Sequence, residues 1–176
     1  DMFYMANPDA DIKSMFLVSL ASHSIADKAI GIFHRTNSLE YYELFSDHRY
    51  DYQMIHQMEI DILNSINYEA ILVTATEIMR RAHCCIELDD KIKVLSRYIL
   101  ESSQLFYEFI TEYESRIAAA SQYVANKYSK KPWNEIMEKY FGYKEKEIVA
   151  LAFKLNSRFV NWKAPKEVIH RFAGDD

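Results

Sequence analysis

Lys28 and Glu59 stand out for where they sit in the chain. Lys28 closes a small-residue-rich apolar stretch, and Glu59 interrupts the run Met58-Glu59-Ile60-Asp61-Ile62. Acids are almost never fully buried without a partner, so a carboxylate in such a run calls for a counter-charge. Two kinds of chemistry fit. Lysine and glutamate on facing helices can form an ion pair with no further role, contributing ~0–1 kcal/mol where exposed. The same groups can instead grip exposed backbone of a partner, the ammonium donating and the carboxylate accepting several hydrogen bonds. Spacing alone favours the plain ion pair.

Other reactive residues are less suggestive. His83-Cys84-Cys85 is a cluster, but a structural zinc site wants four ligands and the remaining histidines are scattered, so no metal is expected. The thiols have no evident activating base nearby in sequence, which leaves nucleophilic catalysis unsupported. His23 lies on an apolar helix and reads as a satisfied core histidine. No Gly-rich loop is present to cradle phosphate. Acidic residues are spread along helix faces, as on a solvated surface. Tyr41, Tyr42, Tyr50 and Tyr52 cluster near one loop and mark a candidate contact surface. With no catalytic constellation, the expectation is a non-enzyme without cofactors. A helical bundle with a metal site is the weakest rival.

The elements that would position Lys28 and Glu59 read as helices. Ile12–Lys28 is expected to be helical from Asp11 as cap to Gly31 as stop, with apolar residues round most of its circumference, as in a helix buried by several neighbours. Asn37 with Glu40 resembles a capping box opening a short helix through Phe45. Asp51–Ile66 places Met54, Ile55, Met58, Ile62, Leu63 and Ile66 on one stripe. Thr74 with Glu77 opens a helix through about Ala82, and Asp89 or Asp90 starts the next. Ser115–Tyr128 follows. Pro132 is expected in the first turn of a short helix ending at Gly142. Lys144–Trp162 carries Ile148, Leu151, Ala152, Leu155 and Phe159 on one face, Pro165 breaks it, and Lys166–Phe172 forms a last short helix.

Two of these helices share a motif. ASHSIADK at Ala21–Lys28 and ASQYVANK at Ala120–Lys127 lie 99 residues apart and agree at four of eight positions, with three conservative exchanges. Each closes an apolar helix and precedes a loop, a short helix and a long amphipathic one, which points to two copies of one helical unit. Composition agrees. Among 176 residues there are three Gly and three Pro, too few for strands joined by tight turns, so the chain reads all-α. The net charge of −5 gives no basic footprint for direct nucleic-acid contact. No apolar run approaches the ~20 residues that span a bilayer. The adjacent pair Cys84-Cys85 is poorly placed to form a disulfide, as expected in a reducing compartment, nucleus or cytoplasm. The chain starts at Asp1, and Asp1-Met-Phe-Tyr-Met reads like the tail of an apolar helix that began further upstream. The unit boundary is expected near Tyr68–Val73.

Taken in order, these segments resemble the cyclins, most of all the A/B-type cell-cycle members. Leu17-Val-x-x-Ala21 with Ile25-Ala-Asp-Lys28 resembles the third helix of the first cyclin box, and Met58-Glu59-x-x-Ile62-Leu63-x-x-Ile66-x-Tyr68 its fifth. Thr74 is similar to the Thr that opens the second box. Leu95-Ser-Arg97-Tyr98-Ile-Leu100-Glu101-x-Ser103, Glu114-Ser115-Arg-Ile117-Ala118-Ala119-Ala120 and Trp133 with Tyr140-x-Gly142-Tyr143 resemble segments of that second box. The resemblance implies two packed cyclin-box units. Residues 1–70 would form a partial N-terminal box lacking its first helix and most of its second, and residues 71–176 the C-terminal box. It implies a regulatory subunit, a monomer within a heterodimer, that binds and activates a cyclin-dependent serine/threonine protein kinase in cell-cycle control and mitosis. Lys28 and Glu59 then take the positions that grip the kinase beside its mobile C helix, with Ile25 and Tyr68 as apolar neighbours. By this resemblance binding pushes that helix inward, completes its Lys–Glu ion pair and orders the activation loop.

Several positions depart from the family pattern. Ala29-Ile30-Gly31 replaces an aromatic followed by acids, and loss of a buried aromatic anchor weakens an interface. Ala70 stands where Leu is usual. Phe16 replaces a polar Gln of the substrate-docking patch, whose remaining helix would lie upstream of Asp1. These departures keep a second reading in view, a cyclin-box adaptor for a non-kinase partner such as a transcription-complex component.

Overall fold

The computed structural model describes residues 2–30, 37–70, 73–160, 162 and 163, with the side chain of Ile30 excepted. Among them every regular element is helical. The chain divides into two compact units, Asp1–Leu72 and Val73–Asp176.

In the first unit, α1 (Met2–Ala6) is followed by a 3-10 turn at Ile12–Ser14, then α2 (Met15–Ile30), α3 (Leu39–Phe45) and α4 (Tyr52–Ser65). Asp11 accepts from the Lys13 N–H as foreseen, but it caps the 3-10 turn, and the α-helix proper starts three residues later than expected. Asp51 caps α4 by accepting from the Met54 N–H. α3 departs from expectation, because Ser38 is its N-cap. The Asn37 N–H is instead spent on Asp27 Oδ2 at 2.7 Å. The core is Leu17, Val18, Leu20 and Ala21 of α2, Tyr42 of α3, and Ile55 and Ile62 of α4. α2 is less enclosed than its apolar circumference foretells. Met15, Phe16 and Ala26 are exposed, and Ile25 is half-buried. Gly31, expected to stop this helix, lies outside the described residues.

The second unit comprises α5 (Ala75–Cys85), α6 (Asp90–Ser103), a 3-10 turn at Tyr107–Phe109, α7 (Glu114–Tyr128), α8 (Glu135–Phe141) and α9 (Glu145–Val160). Thr74 and Asp89 cap α5 and α6, and α5 runs three residues beyond the expected end. α7 is the hub. Its ten residues from Ile117 to Asn126 are all buried, so neighbours enclose it on every side. Ala118, Ala119, Ala120 and Ala125 are fully buried, and such small side chains let neighbouring axes come close. Met79, Leu100, Ile148 and Leu155, each fully buried, fill the space around it. α8 begins after Asn134, which caps Met137, so Pro132 lies before the helix rather than in its first turn. Gly142 ends α8 with φ +79°, the left-handed region that glycine enters without strain. Pro165 and the short helix expected at 166–172 lie outside the described residues.

With so few glycines, other helices end on residues that carry side chains. α3, α4 and α7 close in Schellman turns with Asp47, Asn67 and Lys130 at positive φ. The His48, Tyr68 and Lys131 amides donate to the Glu43, Leu63 and Asn126 carbonyls at 3.0, 2.8 and 2.8 Å.

Candidate partner-binding site

Lys28 sits in the last turn of α2 and Glu59 in the middle of α4. The buried face of α4 runs Ile55, Glu59, Ile62, so Glu59 occupies a position an apolar residue would ordinarily take. The Lys28 ammonium donates to Glu59 Oε1 at 2.6 Å and Oε2 at 2.8 Å. The two ends differ in environment. The Glu59 side chain is 5% exposed, whereas that of Lys28 is 47% exposed. His56 Nδ1, one turn before Glu59, lies 3.3 Å from Oε2. The Ser24 hydroxyl is buried and without a partner of ordinary hydrogen-bond geometry, and it is directed at the same carboxylate.

Burial pushes the Glu59 carboxyl up, but hydrogen bonding to Lys28 and His56, the neighbouring Ser24 hydroxyl and the Lys28 charge together outweigh it and hold the group below the usual carboxylate range. Glu59 is therefore an anion at neutral pH, seated in the core's edge with its cation facing water. The arrangement presents a half-exposed ammonium whose position is set from below. Such a group can donate to a partner's carbonyls while the carboxylate holds it in place.

The structure joins Lys28 to Glu59 directly. Ile25, one turn before Lys28, packs against the first unit's core. Tyr68 stands beyond the end of α4, about two turns from Glu59, 65% exposed and at φ +60°. His56 and Ser24 escaped the sequence reading, although each lies at helical spacing from a named residue, His56 three before Glu59 and Ser24 four before Lys28.

Asp27 also escaped, and the repeat motif was its signal. Its carboxylate accepts from the Asn37 N–H and from the Tyr42 hydroxyl at 3.3 Å, tying the short helix α3 to the end of α2. Its counterpart Asn126 reaches Met137 of α8, its amide nitrogen 3.7 Å from the sulfur. The shared Asp/Asn therefore anchors the following short helix in each unit.

His23 is not a core histidine. It is exposed, with its ring edge-on to Tyr42 at 6.0 Å, because the flank of α2 that carries it faces away from α4. Among the four clustered tyrosines, Tyr42 is buried while Tyr41 and Tyr52 are exposed. Cys84 and Cys85 are free and exposed. His83 is turned inward, its Nε2 2.7 Å from Gln122 Oε1. Among the described residues no group of three potential ligands is placed to hold a metal, and no helix is long and apolar enough to cross a membrane.

Comparison with known proteins agrees with the helical order. The profile of the family "Cyclin, C-terminal domain" matches residues 73–172. G2/mitotic-specific cyclin-B3 of Homo sapiens is 31% identical over 144 residues, which cover 80% of this chain and 10% of that protein. G2/mitotic-specific cyclin-B of Hydra vulgaris is 32% identical over 112 residues, 63% of this chain and 31% of the relative. The corresponding cyclin-B of Dictyostelium discoideum is 28% identical over 155 residues, 86% of this chain and 35% of the relative. The chain thus spans about a third or less of these curated relatives. An alignment of 155 residues is longer than the second unit, so the similarity extends into the first. The family profile, the B-type relatives and the all-helical architecture place this chain in the cyclin family.

Proposed function

We propose that the chain is the non-catalytic regulatory part of a cyclin-dependent serine/threonine protein kinase acting in cell-cycle control, with residues 1–70 as a partial N-terminal cyclin box and 71–176 as the C-terminal box. The observation that carries this reading is the Lys28–Glu59 pair. A buried carboxylate fixes a half-exposed ammonium at the end of the repeated helix, on a chain whose relatives are named as mitotic cyclins. In this reading Lys28 caps carbonyls of the kinase beside its C helix, Glu59 holds Lys28 and accepts from kinase N–H groups, and Ile25 and Tyr68 supply the apolar margin. The exposure of Tyr68 suits that role, since exposed aromatics are frequent anchors at protein interfaces. The partnership is a heterodimer in nucleus or cytoplasm, with no nucleic-acid or membrane contact.

A pull-down with a mitotic cyclin-dependent kinase tests the reading, comparing wild type with Lys28→Ala/Glu59→Ala. Loss of kinase binding in the double variant, with helicity retained by circular dichroism, is the expected result. Equal binding by both proteins would remove Lys28 and Glu59 from the interface. Failure of the wild type to bind or activate any such kinase, together with co-purification of another defined factor, would favour the adaptor reading.

A further inference from the structure

We propose that a pocket between α7 and α9 in the second unit is a docking site for an acidic, amphipathic peptide segment of a partner protein, which seats a bulky apolar side chain over Ala152. This goes beyond the kinase-binding reading and does not depend on it. The starting point is the repeat. Lys127 takes the position of Lys28, and Val124 that of Ile25. The buried face of α4 is Ile55, Glu59, Ile62, and that of α9 includes Ile148, Ala152, Leu155 with the same spacing of four and then three. Ala152 therefore stands in the register position of Glu59. Lys127 finds no carboxylate there. It turns instead to Glu145 at the first residue of α9, 3.1 Å away, and lies 4.8 Å from the centre of the Tyr123 ring.

Beside the missing carboxylate is a pocket of about 420 Å³, lined by Val124, Val149, Ala152 and Phe153 and flanked by Tyr123 and Tyr128. That size suits recognition of apolar groups. Its sides are set in advance, because the Tyr128 hydroxyl donates to Asn156 Oδ1 at 2.7 Å and the Tyr123 hydroxyl to Glu145 Oε1 at 2.6 Å. A pocket whose walls are already held loses less conformational freedom on binding. The rim is unusually apolar for a surface left in water. Phe153 is 74% exposed, Tyr128 60% and Val149 41%, and such contiguous patches mark interaction sites.

Charge selects the occupant. Although the chain as a whole is acidic, the segment from Lys127 to Lys154 holds seven lysines against four glutamates. Glu145 is engaged by Lys127 and Tyr123, and Glu147 by the Lys144 N–H at 2.7 Å. Lys130 and Lys131, just past the end of α7, and Lys146, in the first turn of α9, are exposed and form no ion pair among the described residues. Lys146 shares a face of α9 with Val149 and Phe153, three and seven residues on. None of these cations lines the pocket, but Lys130 and Lys131 follow the lining residue Tyr128 by two and three positions and Lys146 precedes Val149 by three, so a ligand that meets both pocket and cations must extend past the rim. A peptide with carboxylates flanking an apolar anchor does so.

Fluorescence polarisation on the full chain tests the proposal. The probe is a labelled helix-forming peptide with Leu and Phe four residues apart on a Glu-rich background. A Lys-rich counterpart and a version with Ala at both apolar positions serve as comparisons. The Glu-rich probe is expected to bind with a Kd of roughly 10–100 μM, at least about tenfold tighter than either comparison peptide, and to weaken with added salt. Phe153→Ala, at an exposed position that the fold does not need, should weaken binding about tenfold or more. Ala152→Glu, which returns the carboxylate to the floor, should abolish it. Lys28→Ala/Glu59→Ala should bind the probe as wild type does, which separates this site from the kinase-binding one. No binding of the Glu-rich probe, equal binding of the Lys-rich one, or indifference to Phe153→Ala would each overturn the proposal.

Discussion

Lys28→Met is the sharpest probe of the first unit, because it removes a cation and leaves its anion buried. Glu59, with a side chain 5% exposed, loses hydrogen bonds of 2.6 and 2.8 Å and keeps only His56 at 3.3 Å. Removing one partner of a fully buried pair costs about 3–5 kcal/mol. Lys28 is half in water, and solvent already screens part of its attraction, so the expected loss is smaller, about 2 kcal/mol near pH 7 to 8. That corresponds to about a 30-fold rise in the open population.

Both tryptophans, Trp133 and Trp162, belong to the second unit, so their fluorescence is a poor reporter of this change. Backbone amide exchange in α2 and α4 reads it directly. The pH dependence carries the reasoning. In the wild type the folded Glu59 carboxyl titrates below its ordinary range. The pair's contribution is therefore complete above the unfolded carboxylate pKa and fades as pH falls through the depressed folded value. In Lys28→Met burial becomes the dominant influence and raises that pKa, so stability instead declines as pH rises through it. The two proteins should converge only in acid, below the depressed Glu59 pKa of the wild type, and separate as pH rises until the carboxyl is ionised in both. Lys28→Met/Glu59→Met should recover most of the loss, since an apolar pair leaves no charge stranded. A difference independent of pH, or a double variant as unstable as the single one, would refute the account.

Other perturbations follow from the same structure. Asp27→Ala strands the hydroxyl of Tyr42, which is 2% exposed, and frees the Asn37 N–H. A loss of about 1–3 kcal/mol is expected, seen as faster amide exchange in α3 than in α4. Lys130→Gly relieves a left-handed residue at φ +54° and should raise the urea midpoint followed by tryptophan fluorescence, by about 0.5–1 kcal/mol of stability. Ala119→Leu overfills a site with 0% exposure on the hub helix and should cost at least about 1–3 kcal/mol by the same assay. Burial, with Lys93 and Arg97 nearby, lowers the His83 pKa despite the bond to Gln122. The second unit should therefore be most stable above the unfolded histidine pKa and weaken as pH falls through the depressed folded one. His83→Gln should flatten that dependence in denaturant titrations at pH 7.5 and 5.5.

Local chemistry made much of the helical order legible. Asp51, Thr74 and Asp89 cap their helices through bonds to amides two or three residues on, and Gly142 supplies a positive φ, so each signal and its effect lie within one turn. Where two local signals competed, the sequence reading erred. Asn37 lies one residue before the cap that α3 uses, Ser38, and its N–H is held by Asp27 ten residues upstream. Pro132 tolerates a first helical turn, but the stronger side-chain cap of Asn134 starts α8 later. His23 was misjudged for a different reason. Apolar residues surround it in sequence, but it lies on the exposed flank of a turn whose other side, Ala21 and Ser24, is buried.

By itself the sequence determined the all-helical class and the cyclin membership. Each follows from composition, helical periodicity and an ordered set of short motifs, all of which survive without coordinates. Tertiary structure decided what the two copies of the repeat became. Lys28 and Lys127 end the same motif, and nothing within eight residues separates their roles. The facing helix separates them. α4 offers Glu59 at the buried register position and fixes Lys28 over a carboxylate. α9 offers Ala152 there, sends Lys127 to Glu145 and leaves an apolar pocket. Ion pairing and cavity formation depend on which side chains meet across more than fifteen residues of intervening chain, and only packing brings them together.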